Sequence, residues 1–359
     1  MSPDRARPLL FDALPDLARV VPWTPLARLP TAVEPCEAIA SWLGRREVFM
    51  KRDDLASPLY GGNKVRRYEF VLADAKARGA RRIVTAGGIA STQVMATALF
   101  GHALGFEVLA VLFDQPVTEF ARQSVLGFVD SGVELVRGGG YAMTAWRTLR
   151  AMRRDRDSYL ILPGAPNPLA NLGYVNAMLE LGGQVERGEA PRPDVILLPT
   201  GSSGTLAALA LGCAYLGWET EVIGVRITSA AACNRLTVGM IIRATDRYLA
   251  ARDRRWKPRR GRVRYTLYGG ALGDGYGYPT PEAKEGAAMV ERLTGATGEV
   301  TYSGKALAAL RTLGSRPEYR GKTLLLWNTL STPRPVLSPG ARARVPASLG
   351  WVFEQPPVA

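Results

Sequence analysis

From Arg81 onward the sequence alternates short apolar, β-branched runs with longer stretches of helical period, which restricts the chain to few architectures. RRIVTAGG is followed by STQVMATALFGHALG, EVLAVLF by TEFARQSVLGFVDSG, and VELV by YAMTAWRTLRAMRRD. SYLILP precedes LANLGYVNAMLELGGQV, DVILLPTG precedes SGTLAALALGCAYLG, and EVIGVRI closes the series. Apolar runs of strand length separated by helical lengths predict parallel sheets with right-handed crossovers. The fold class is therefore α/β. No fixed-period repeat, low-complexity tract or long linker interrupts the pattern. The PPVA end is expected to fray.

Composition removes several function classes. The 359 residues are 47% hydrophobic and 22% charged, the balance of a soluble globular protein with a substantial core. No apolar run reaches the roughly 20 residues that span a bilayer. Met1–Arg19 is broken by Pro3, Pro8 and Pro15 and lacks a secretory h-region, so a cytoplasmic protein is expected. Cys36, Cys213 and Cys233 show no CxxC spacing, which argues against a disulfide scaffold or a thiolate zinc site. His102 is the single histidine, so a multi-histidine metal site is excluded and no metal is expected. Acid–base work falls mainly to Lys, Tyr, Ser/Thr or carboxylates.

The net charge of +14 raises the question of nucleic acid. The excess is concentrated between Arg235 and Arg264, where only Asp246 and Asp253 oppose a dense run of bases. The favoured reading is a solvated, arginine-rich helix end and loop, with nucleic acid disfavoured as a partner.

Three turns carry the candidate chemistry. In LYGGNKVRRYEF, Lys64 follows Gly61, Gly62 and Asn63 at the start of a helix-like stretch. A lysine beside the positive end of a helix dipole gives up its proton more readily, which suits imine formation and proton transfer. In LLPTGSSGTLAAL, the loop Gly201, Ser202, Ser203, Gly204 and Thr205 opens a helix and offers N–H groups and hydroxyls to a phosphate. It is neither GxxxxGK[ST] nor GxGxxG. In TAGGIASTQ, the segment Ser91, Thr92, Gln93 suits a carboxylate, and Ser91 also suits a helix N-cap. Tyr276 in DGYGYP and Tyr302 in VTYSGKA read, on spacing alone, as packing residues.

Taken in order, the landmarks KRDDL, GGNK, GGIxS, GxxNPLxxLGY, TGSSGT, GYG and YSGKA resemble the pyridoxal-phosphate (PLP) enzymes of tryptophan-synthase-β fold, known as fold type II. Within that group they are most similar to the 1-aminocyclopropane-1-carboxylate (ACC) deaminase and D-cysteine desulfhydrase family. The resemblance implies two open, twisted, mostly parallel sheets flanked by helices. It implies a large PLP-binding domain of residues 1–66 and 176–359 and a small domain of residues 67–175, with the active site in the cleft between them. It also implies a homodimer.

Residue by residue, Lys64 matches the lysine that binds the cofactor and shuttles the substrate proton, with Asn63 beside it. Gly201, Ser202, Ser203, Gly204 and Thr205 match the phosphate cradle. Ser91, Thr92 and Gln93 match the segment that binds the substrate carboxylate, with Thr92 bordering the cofactor ring. Tyr276 and Tyr302 match two active-site tyrosines. Ser303 falls where ACC deaminases carry a glutamate facing the pyridine nitrogen, and Thr329 is a second hydroxyl for the cofactor. The chain departs from the family at Thr92, usually Asn, and at Asn328-Thr329-Leu330-Ser331, usually His-Thr-Gly-Gly.

A neutral hydroxyl at Ser303 or Thr329 makes a weaker electron sink than a glutamate would. The expected activity is therefore release of ammonia and a 2-oxo acid from D-cysteine or another β-substituted amino acid, with ACC next. The alternatives are a divergent PLP enzyme with an unusual amino acid substrate in a specialised pathway, and a non-catalytic relative.

Overall fold

Each of the apolar runs forms a strand, and each strand up to β8 is followed by a helix. The computed structural model of the protein describes residues 7–44, 47–162, 167–295 and 298–358. Pro163 of SYLILP, Gly164 of GxxNPLxxLGY, Met1–Ala6 and the final Ala359 lie outside them. The strands are β1 (Val33–Pro35), β2 (Val48–Lys51), β3 (Arg82–Gly88), β4 (Glu107–Phe113), β5 (Glu134–Gly139), β6 (Ser158–Ile161), β7 (Val195–Thr200), β8 (Glu221–Arg226), β9 (Tyr265–Tyr268) and β10 (Leu324–Trp327). They divide between two units, Met1–Val71 with Pro166–Pro333, and Leu72–Ala165 with Arg334–Ala359.

The larger unit holds a sheet in the order β1-β2-β10-β7-β8-β9. All its pairings are parallel except β1 with β2. Side chains alternate across a strand, and here both faces are covered. Ile196 and Leu198 of β7 join a core with Leu206, Leu209 and Trp327. Val195 and Leu197 join another with Met50, Leu307 and Leu310. The Gly204–Leu216 helix is buried along most of its length, and its apolar residues all round suit that position.

The KRDDL segment becomes the charged floor of this unit. Lys51, Asp53, Arg66 and Glu180 are all buried and bonded to one another or to shared partners. Arg66 Nη2 lies 2.7 Å from Asp53 Oδ1, Arg66 Nη1 2.8 Å from Glu180 Oε2, and Lys51 Nζ 2.6 Å from Glu180 Oε1. Tyr174 and Trp327 donate to Asp53 Oδ2 at 2.8 and 2.7 Å. Buried charges persist only when paired and hydrogen-bonded in this way.

The smaller unit has a parallel sheet in the order β5-β4-β3-β6, packed through Val84, Ala86, Leu109 and Val111. Residues 334–359 group here and not with the larger unit, where the expected division put them. The reason is local bonding: Ser338 donates from its N–H and its Oγ to Asp130 at 2.5 and 2.6 Å, and Arg344 pairs with the same carboxylate. The breaks fall at Val71/Leu72 and Ala165/Pro166, against the expected 66/67 and 175/176.

The basic segment is tied into the fold. Asn234 and Thr237 form a capping box on the Arg235–Ala250 helix. Asp246 takes Arg260 at 2.7 Å and the Trp256 indole at 2.9 Å, while Asp253 caps Asp16 and Leu17. Glu219, an acid outside the segment, lies 3.8 Å from Arg262 and 3.9 Å from Arg264. Among the described residues, no helix is long and apolar enough to cross a membrane.

Candidate active site

Lys64 is the second residue of the Asn63–Ala77 helix, delivered by a turn that only glycine permits. Gly62 has φ +80°, and a Cβ there would lie 2.5 Å from the carbonyl oxygen of Thr329. The turn is held from three sides. The Gly62 N–H donates to Asp53 O at 2.7 Å, and the Asn63 N–H to Thr329 O at 3.1 Å. The Gly61 N–H donates to Ser331 Oγ at 2.8 Å, which in turn donates to Pro333 O. Lys64 Nζ donates to Asn63 Oδ1 at 2.7 Å, and Asn63 Nδ2 reaches Thr205 Oγ1 at 3.4 Å. Burial, helped by the positive charge of Arg67, pushes the Lys64 amine down to about 7. It is therefore largely neutral slightly above that pH.

The loop after β7 presents an unfinished helix start. Ser203, the N-cap of the Gly204–Leu216 helix, sits in the left-handed region at φ +66° and makes no side-chain cap bond. Its hydroxyl instead lies 3.2 Å from Cys233 Sγ. Two buried polar groups face this helix start. A Cβ on Gly204 would lie 3.2 Å from Arg67 Nη2 and 3.0 Å from Asn171 Oδ1. Arg67 is 5% exposed and has no ion pair among the described residues. Asn171 donates to Thr245 Oγ1 at 2.8 Å, and its Oδ1 is buried without a partner. Because the Thr245 hydroxyl can donate or accept, the amide can also turn its NH₂ toward Gly204 and keep that bond. A buried cation without a counter-ion, beside free helix N–H groups, calls for an anion. Neither Arg67 nor Asn171 was singled out in the sequence; the signal was Arg67 lying one helical turn after Lys64.

The two tyrosines, which spacing alone assigned to packing, meet at their hydroxyls. Tyr276 and Tyr302 oxygens are 2.9 Å apart, with rings edge to face at 87°. Burial first, then Tyr276, Glu299 and Tyr60, raises the Tyr302 pKa well above 10, so it stays protonated. Tyr302 precedes the Ser303–Gly314 helix, whose first N–H groups are capped by Glu299. Thr301, Tyr302 and Ser303 donate to that carboxylate at 2.7, 2.6 and 2.5 Å, and Ser303 Oγ lies 3.2 Å from Glu299 Oε1. Ser303 is thus a hydroxyl backed by a buried carboxylate, a feature invisible from residue 303 alone. Thr329 contributes its backbone carbonyl to the Lys64 turn, and Leu330 is buried.

In the smaller unit, Ser91 caps the Thr92–Ala103 helix by accepting from the Val94 N–H at 3.3 Å. Thr92 is partly buried. The Gln93 side chain is buried, its amide nitrogen 3.4 Å from Thr85 Oγ1 and 3.5 Å from Ile161 O. Gln93 is therefore engaged within its own unit, and the Ser91 N–H donates to Gly88 O at 3.0 Å.

Comparison with known proteins gives the family. A family model described as pyridoxal-phosphate dependent enzyme matches residues 24–329. An ACC deaminase homologue is similar with a TM-score of 0.75 and 26% identity, over 90% of this chain and 95% of that one. A T.th. threonine deaminase has a TM-score of 0.58 at 20% identity, over 92% and 98%. A fungal L-serine ammonia-lyase from Rhizomucor miehei has 0.59 at 15%, over 91% and 98%. These last two show a shared fold. A lysine amine held near neutrality, and an uncapped helix start beside an arginine without an ion pair among the described residues, fit an aldehyde and a phosphate on one cofactor. Joined to a family match over most of the length, they mean that this chain belongs to the pyridoxal-phosphate-dependent enzymes of fold type II.

Proposed function

We propose that the protein is a lyase or deaminase that releases ammonia and a 2-oxo acid from a small amino acid, with D-cysteine or another β-substituted amino acid preferred over ACC. The carrying observation is the neutral-leaning Lys64 amine in the same unit as a hydrogen-bonded tyrosine pair. PLP, when bound, supplies an electron-withdrawing system that stabilises charge at the α-carbon. Arg67 and the N–H groups of Gly204 and Thr205 hold its phosphate, with Asn171 beside them. Lys64 carries the proton, because an amine near neutrality both accepts and returns it. Tyr302, kept protonated by burial, donates to a departing group. The substrate carboxylate is assigned to the Ser91–Gln93 segment, supported by the Thr92 and Gln93 N–H groups in the first turn of its helix.

The preference for β-substituted substrates rests on Ser303. Its hydroxyl, even with Glu299 behind it, presents an oxygen without formal charge. Elimination of a good leaving group needs less electron withdrawal than opening an unactivated ring.

The test is direct. Purified protein with PLP should be yellow, lose its colour with borohydride, and stay colourless as Lys64→Ala. A panel of D- and L-Cys, D- and L-Ser and ACC, read by 2-oxo acid and ammonia, should favour the β-substituted members. Turnover of ACC alone would reverse the substrate order, and a coloured protein with no turnover would point to a non-catalytic relative.

A further inference from the structure

Two charged residues, one just before the helix that starts at Ser303 and one within it, lie close to the tyrosines. Glu299 caps its first turn and thereby fixes the Tyr302 backbone. The other is Lys305, whose side chain is fully buried. Its Nζ donates to Leu272 O at 2.7 Å and to Gly275 O at 2.8 Å. No carboxylate lies within ion-pair distance of it among the described residues.

Burying a lysine to bind two carbonyls costs desolvation energy that a neutral side chain of similar length would avoid. The two carbonyls belong to the glycine-rich loop that carries Tyr276. That loop has positive φ at Gly273, Gly275 and Gly277, conformations that glycine adopts without strain. Gly275 O is bonded one residue before Tyr276. The same helix that begins beside Tyr302 therefore reaches back through Lys305 and fastens the strand of chain leading into Tyr276.

We propose that Lys305 is a positioning residue, which holds the Tyr276 hydroxyl against Tyr302 by tying the Leu272 and Gly275 carbonyls to the Ser303–Gly314 helix. The ordinary alternative is a lysine that merely stabilises the helix packing. In that role it would affect melting but not the tyrosine pair. Burial brings the Lys305 amine down to about 8, against the raising effect of Glu299 and Asp274. Both carbonyl bonds survive its deprotonation, because a neutral amine still has two N–H donors. The clamp therefore holds on either side of that pH.

The proposal builds on the reading of the tyrosines as proton-carrying groups, but its test observes the tyrosines and not turnover. Full-length protein loaded with PLP and labelled with ¹³C at tyrosine Cζ is titrated by NMR, with Tyr276→Phe and Tyr302→Phe assigning the two signals. In Lys305→Met the Tyr302 signal should begin to titrate at least one pH unit earlier, because the Tyr276 hydroxyl no longer faces it. Tyr276→Phe should produce the same change, and the double variant no more than either alone. Where Lys305→Met does not fold, Lys305→Gln, which keeps an N–H donor on a shorter arm, should give at least half that shift. An unchanged Tyr302 titration in the folded variant, whatever its melting temperature, would overturn the proposal. So would a double variant whose shifts simply add.

Discussion

At the scale of single residues, the decisive quantity is the charge on Lys64. An amine depressed to about 7 is protonated below that value and neutral above it. Modification of Lys64 by trinitrobenzenesulfonate in cofactor-free protein, followed by peptide mapping, should therefore rise through about pH 7. Arg67→Met removes a like charge and should move that midpoint up; a wild-type midpoint above pH 9 would contradict the assignment. Lys64 and the Gly201–Thr205 loop were legible in the sequence, because glycine turns before helices leave a local signature. Arg67, Asn171 and Glu299 were not. They act through contacts made by folding, and Glu299 carries no motif of its own beyond preceding YSGKA.

At the scale of elements, the segment after β10 supports the turn that presents Lys64. Leu330 and Ser331 stand where the resemblance leads one to expect two glycines. In the structure Ser331 accepts the Gly61 N–H, and Thr332 donates to Asp54 Oδ2 at 2.7 Å. The segment thus binds the turn that presents Lys64. Ser331→Ala leaves the Gly61 N–H buried without its acceptor, at a cost of about 1–3 kcal/mol. The expected outcome is a lower melting temperature and faster hydrogen exchange at Gly61, with little change on replacing a distant exposed serine such as Ser315. The strands of the alternating run were legible because burial on both faces makes them continuous apolar runs. The short strands β1, β2, β9 and β10 were not. They hold three or four residues each, too few to show a period, and their place in the sheet comes from long-range pairing.

At the scale of the whole molecule, stability against acid should depend on the buried cluster around Glu180. Burial alone would raise that carboxyl, but Arg66 and Lys51 overcome it and hold it at about 2. The unfolded chain takes up the proton near 4.5, so between about 4.5 and 2 it binds more protons than the folded one. Stability from this group is fully present above 4.5 and is lost as pH falls toward 2. Glu180→Gln should remove that part of the acid dependence in urea unfolding. It should also cost about 3–5 kcal/mol at neutral pH, because two buried cations lose a partner.

Ser203 bears on the molecule in another way. Its backbone turns left-handed and its hydroxyl points to Cys233, so the helix behind it begins without the cap that most helices carry. The chain has left one of its own folding contacts to be made by a visitor. Anything with a phosphate group that docks there completes the secondary structure as well as filling a site. On the proposed reading, binding the cofactor there would stabilise the fold as well as prepare catalysis.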